Sequence, residues 1–144
     1  MFDTCLKKQQ QIKKLFNACA SEELKYEKII ELGRQQIPFP PTEKTPENLV
    51  RGCQSTMYLR SYMDNGHVIF QAESDALISA GLAVILVTVY SGESPETILK
   101  CPPDYLEELG ISASLTPNRA NGLYSIHLRM KQDALKHYME QAKK

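Results

Sequence analysis

A chain of 144 residues with 17 basic and 17 acidic side chains carries no net charge. That argues against a nucleic-acid or membrane-surface binder, since both draw on a surplus of positive charge. A hydrophobic content of 42% is too high for a disordered chain and suits one domain, residues 1–144, with a core of ordinary size.

Residues Met1 to Asn17 are charged and lack the continuous apolar segment of a secretory signal. The longest apolar run, Ala80 to Tyr90, is too short to span a bilayer, which takes about 20 such residues. The expectation is a soluble, cytoplasmic protein. Its cysteines, Cys5, Cys19, Cys53 and Cys101, form no CxxC pair, and no His stands at zinc-finger spacing. Neither a structural metal site nor, in a reducing compartment, a disulfide framework is expected.

A first helix is predicted over Thr4 to Cys19, with Ile12, Leu15, Phe16 and Cys19 on one face and the lysines Lys7, Lys8, Lys13 and Lys14 mostly elsewhere. Ser21 is placed to cap a second helix, in which Tyr26, Ile29, Ile30, Gly33 and Ile37 recur at helical spacing until Pro38, Pro40 and Pro41 end it. The two form a helical hairpin. A Pro-rich surface linker, Pro38 to Asn48, follows. Met57, Leu59 and Ser61 alternate with Tyr58, Arg60 and Tyr62 as a strand, Asp64-Asn65-Gly66 signals a tight turn, and His67 to Glu73 is the return strand, with His67 exposed.

Ser74-Asp75 reads as the cap of a buried helix over Ala76 to Tyr90, packed across the hairpin and stopped by Gly92; its β-branched residues also suit a strand, but the cap, the small residues and the length favour the helix. Ser94-Pro95 opens a short helix broken by Cys101-Pro102-Pro103, and Tyr105, Leu106 and Leu109 suggest another. Thr116-Pro117 starts the last helix, which runs to about Gln141 with Leu123, Ile126, His127, Met130 and Tyr138 near one face. His127 is expected to be a hydrogen-bonded core or boundary residue. Arg119 in the first turn opposes the helix dipole, which suits either an ordinary surface Arg or a group facing an anion or thiolate.

Between the linker and the first strand stands Val50-Arg51-Gly52-Cys53-Gln54-Ser55. Gly52 permits backbone conformations closed to other residues, and Gln54 and Ser55 add neutral hydrogen-bonding groups. The stretch suits a thiol displayed at the tip of a loop; taken alone it suits a buried structural cysteine better.

The chain resembles the SufE family, the sulfur-acceptor partners of cysteine desulfurases. The resemblance rests on Glu31-Leu32-Gly33, on Pro46-Glu47-Asn48 with Val50-Arg51-Gly52-Cys53-Gln54-Ser55, and on Ser74-Asp75-Ala76 leading to Gly81-Leu82. Leu115-Thr116-Pro117 with Arg119, then Gly122-Leu123, complete it. Where the family often has Val-Trp after the loop, this chain has Met57-Tyr58. Cys5, Cys19 and Cys101 match no family motif.

The resemblance implies an α+β fold shared with SufE and the scaffold IscU: a small antiparallel sheet packed against several helices, with a long C-terminal helix. It implies that Cys53 takes persulfide sulfur from a cysteine desulfurase, stimulates that enzyme and passes sulfur on for iron–sulfur cluster assembly. Arg119, ahead of Arg51, is the implied thiolate-stabilising cation, while Gly52, Gln54, Ser55 and Asp75 belong to the loop and docking surface. It further implies a resting Cys53 tucked into an apolar pocket, which Met57, Leu59 and the Leu82–Val89 helix are expected to line.

The implied partners are a desulfurase of the SufS or CsdA kind, which carries the pyridoxal phosphate, and a downstream scaffold of the SufBCD kind. No cofactor is expected on this chain, and a homodimer stays open. Two rival readings are an IscU-like cluster scaffold, which needs several Cys ligands, and a redox thiol, for which Cys101 would have to serve as the resolving partner.

Overall fold

The computed structural model describes residues 2–53, 55–111 and 115–143. Among these are α1 (Asp3–Asn17), α2 (Glu22–Arg34), β1 (Met57–Asp64), β2 (His67–Ser74), α3 (Leu77–Tyr90), α4 (Pro95–Lys100), α5 (Tyr105–Glu108) and α6 (Pro117–Ala142). Two short 3-10 turns, Pro41–Glu43 and Pro46–Asn48, lie in the linker. The architecture is the expected α+β arrangement.

β1 and β2 form a two-stranded antiparallel hairpin in which Met57 faces Ser74 and Asp64 faces His67. Asn65 and Gly66 both take positive φ, the requirement of a two-residue turn matching strand twist. Met57, Leu59, Val68 and Phe70 are buried on the inner face. Over the outer face lies the linker: Phe39 is buried and stacks on Tyr58 at 5.9 Å, and its N–H donates to Glu73 Oε1 at 3.0 Å. The Pro-rich segment thus covers the sheet's second face.

α3 is the core of the molecule, with Leu82, Ile85, Leu86, Val89 and Tyr90 all buried. It runs antiparallel to α2 at very close range. A Cβ on Gly33 would strike the Leu77 carbonyl oxygen, and one on Gly81 would strike that of Ile29. Only glycines allow these two backbones to approach so closely.

Several boundaries differ from expectation. α1 ends at Asn17, and its buried stripe is Cys5, Gln9, Ile12 and Phe16, leaving Cys19 half-buried beyond the helix. α2 ends at Arg34, before the register that Ile37 continues; Ile37, forced out of helical geometry by Pro38, is 78% exposed. Instead of extending the helix, Gln36 bonds the edge of β2, accepting from Ser74 N–H at 3.0 Å and donating to its carbonyl at 3.2 Å.

α3 is not capped by Ser74-Asp75. Its N-cap is Ala76, and Ser74 closes β2, donating its hydroxyl to the Thr56 carbonyl at 2.8 Å. Ser21, Ser94 and Thr116 do cap their helices, as expected. On α6 the buried stripe of Leu123, Ile126, His127 and Met130 stops at Ala134, so Tyr138 is 46% exposed. No helix among the described residues is long and apolar enough to cross a membrane.

Candidate functional site

The Cys53 loop is closed at both feet. At the first, Val50 N–H donates to the Met57 carbonyl at 2.9 Å, and Leu49 bridges Tyr58. Arg129 on α6 reinforces that foot, donating from Nη1 to the Leu49 carbonyl at 3.0 Å and from Nη2 to the Glu47 carbonyl at 2.5 Å. Asp133 holds the guanidinium through Nε at 3.1 Å and accepts Ser61 Oγ at 2.9 Å, which ties the clamp to β1. At the second foot, Ser55 Oγ meets Ser79 Oγ at 2.6 Å and Ser74 Oγ at 3.4 Å. The Thr56 carbonyl accepts from Ser74 Oγ at 2.8 Å and from Asp75 N–H at 3.4 Å.

Between the feet the chain turns over α6. Gly52 has φ +89°, and a Cβ there would come within 2.5 Å of Ser125 Oγ, so both conformation and contact call for glycine. That turn sets the Cys53 thiol, half-buried, against Gly122, with Sγ 3.9 Å from the Gly122 carbonyl oxygen. An open groove of about 470 Å³ runs beside the loop, walled by Val50 and Arg51 on one side and Ser125, Leu128 and Gln132 on the other.

Burial pushes the Cys53 thiol pKa upward, and among the described residues no cation opposes it. At rest the sulfur is therefore held protonated. Arg119 is half-buried one turn before Gly122, its N–H donating to the Thr116 cap at 3.4 Å. It lies on the same helix as the thiol's seat and does not lower the thiol's pKa in this conformation. Arg51 and Asp75 are exposed at the two ends of the loop, Ser55 is half-buried in the serine cluster, and Gln54 lies outside the described residues. The wall that meets the sulfur is α6, which the sequence reading left out of the pocket.

The other cysteines are elsewhere. Cys101 is buried and accepts from Gln9 Nε2 at 3.4 Å, and Cys5 lies beside it, its thiol pKa raised by burial and by Cys101. Cys101 thus packs under α1, not against Cys53, which removes it as a resolving partner for the loop thiol. All four cysteines are free. Among the described residues no three His, Cys, Asp or Glu side chains gather as a metal-ligand set.

Sequence reasoning missed Arg129, Ser125 and Ser79. A helical Arg reads as a surface charge until its target carbonyls, 80 and 82 residues away, are known. Ser125 and Ser79 sit within helical patterns that give no hint of a loop above them.

Residues 10–134 match the family described as "SufE: Fe-S metabolism associated domain". The chain belongs to the SufE family. Its relatives include SufE-like protein 1, chloroplastic/mitochondrial, of Arabidopsis thaliana, 37% identical over 89% of this chain and 35% of that protein. An uncharacterized SufE-like protein of Synechocystis is 35% identical over 77% of this chain and 70% of that protein. The SufE chain thus spans about a third of the Arabidopsis relative's length. The solution structure of a hypothetical protein from Thermus thermophilus shares the fold, with a TM-score of 0.75 and 26% identity over 92% of this chain and 96% of that one.

Proposed function

We propose that this SufE-family chain accepts sulfur on Cys53 from the persulfide of a cysteine desulfurase and passes it on for iron–sulfur cluster assembly. The observation that carries the reading is the glycine-turned, doubly pinned loop that holds a single thiol at the protein surface over α6. In the reaction the Cys53 thiolate attacks the terminal sulfur of the donor persulfide in line with its S–S bond. That bond breaks, the donor cysteine leaves as thiolate with the electron pair, and a persulfide forms on Cys53. No external oxidant or reductant is consumed, and removing sulfur from the donor frees it for another turnover, which stimulates the desulfurase.

The resting thiol is protonated and half-buried, so attack requires the loop tip to lift from α6 as the partner docks. Arg51 and Arg119 supply the positive charge that stabilises the thiolate in that complex. The docking surface comprises the loop, the groove beside it and Asp75. The partner is a pyridoxal-phosphate desulfurase of the SufS or CsdA kind, and the recipient is a scaffold of the SufBCD kind, in the cytoplasm.

Intact-protein mass after incubation with desulfurase and cysteine, without reductant, tests the reading. Wild type is expected to gain one or more sulfur atoms, reversibly by reductant, and Cys53→Ser none. A wild type that stays unmodified beside a competent cognate desulfurase would sink it.

A further inference from the structure

Three glycines of this chain sit within helices at contacts, and they differ in what they require. At Gly33 and Gly81 a Cβ would collide with a backbone carbonyl, so glycine is obligatory for packing. At Gly122 the backbone is helical, and among the described residues the nearest heavy atom to a Cβ would be Cys53 Sγ at 3.8 Å, an ordinary van der Waals contact, with no other described atom outside the helix that close. The resting thiol thus tolerates alanine there. Yet glycine inside a helix costs about 0.5–1 kcal/mol relative to alanine. Position 122 therefore leaves a gap of about one methyl group beside the sulfur, at a cost to α6 that the thiol form does not explain.

We propose that Gly122 is the specificity-determining residue that makes room for a second sulfur atom on Cys53, so that the loaded persulfide closes back onto α6. The inference rests on the persulfide reading of Cys53. Directed at position 122, an S–S bond of about 2.05 Å would bring the added atom to within about 1.8 Å of where an alanine Cβ would sit, too close for both to be present. The loading step is R–S–SH plus Cys53–SH giving R–SH plus Cys53–S–SH, so one S–S bond is broken and one formed. In the closed position the terminal sulfur is shielded from solvent reductants; an alanine would leave the thiol seated and hold the persulfide outside.

The test compares wild type with Gly122→Ala, both loaded on Cys53 with inorganic polysulfide so that no desulfurase is needed. Each is then exposed to a dithiol reductant, and persulfide loss is followed by intact mass. Gly122→Ala is expected to melt at or above the wild-type temperature and to alkylate its unloaded thiol at the wild-type rate. Its persulfide should be lost about fivefold faster, the factor that overpacking by one methyl gives at the low end of its usual cost. Equal persulfide lifetimes would overturn the inference, as would a lowered melting temperature, which would show that glycine serves the resting packing. Neither result touches desulfurase-dependent loading of the wild type, on which the proposed function stands or falls separately.

Discussion

The proposed transfer requires Cys53 to be a nucleophile and yet be safe between encounters. The structure favours safety, because burial raises the thiol's pKa and no described cation compensates. Its thiolate fraction at neutral pH must then fall below the few per cent of an ordinary cysteine, whose pKa is about 8.5. In the isolated protein Cys53 should alkylate more slowly than free cysteine, with an apparent midpoint above about 8.5, and unfolding in urea should restore the ordinary rate. A midpoint at or below the free value, or unhindered reaction with a bulky reagent, would show a thiol already activated. The loop position of Cys53 was legible in the sequence, because Gly52-Cys53 is a local signal. The seat was not, since Gly122 lies 69 residues away and only tertiary packing brings it under the sulfur.

The elements divide into those that fix the scaffold and those that hold the loop. The α2–α3 contact belongs to the first group. Gly81→Ala should destabilise the protein by about 2 kcal/mol or more, read as a lowered urea midpoint, because the added methyl must push two helix backbones apart. The contrast with Gly122→Ala, which should not destabilise, separates glycines needed for packing from one that is not. The Arg129 clamp belongs to the second group. Arg129→Ala should leave two loop-foot carbonyls without their partner and speed Cys53 alkylation severalfold, while Lys100→Ala, on an exposed helical pair, should do neither.

Element type was readable where a pattern was long, as in α3 and the Asn65-Gly66 hairpin. It failed at Ser74-Asp75. A serine before an apolar helix looks like a cap, but this one ends a strand and commits its hydroxyl to Thr56. Ile37 failed for a related reason: the periodicity of α2 carries on past the point where Pro38 stops the helix.

For the whole molecule, acid should be the weak side. His127 is 7% exposed, packs 5.2 Å from the Tyr90 ring, and its Nε2 has no hydrogen-bond partner among the described residues. The sequence placed it in the core or at its boundary but expected a hydrogen bond there. Burial first, and then Lys131, push its pKa down to about 4 from an ordinary value near 6.5. Between those values the unfolded chain binds a proton that the folded chain refuses, so stability is full above about pH 6.5 and falls as pH drops towards about 4. The full shift is worth roughly 3 kcal/mol. Denaturation midpoints across that range should fall in wild type and stay flatter in His127→Phe. Parallel curves would place the acid sensitivity in the carboxylates instead.

The pinned loop also sets a tether length. Cys53 is two residues from Ser55 and three from Val50, the hydrogen-bonded residues on either side. Extended chain covers at most about 3.6 Å per residue, so with both feet in place the Cys53 Cα can travel no further than about 7 Å from that of Ser55. Such a cysteine cannot behave as a swinging arm that shuttles between distant stations. On the proposed function, donor and recipient would each have to bring their sulfur chemistry to the same few ångströms of this surface and so compete for one berth. Delivery would then proceed by exchange of partners, at a pace set by how quickly the first departs.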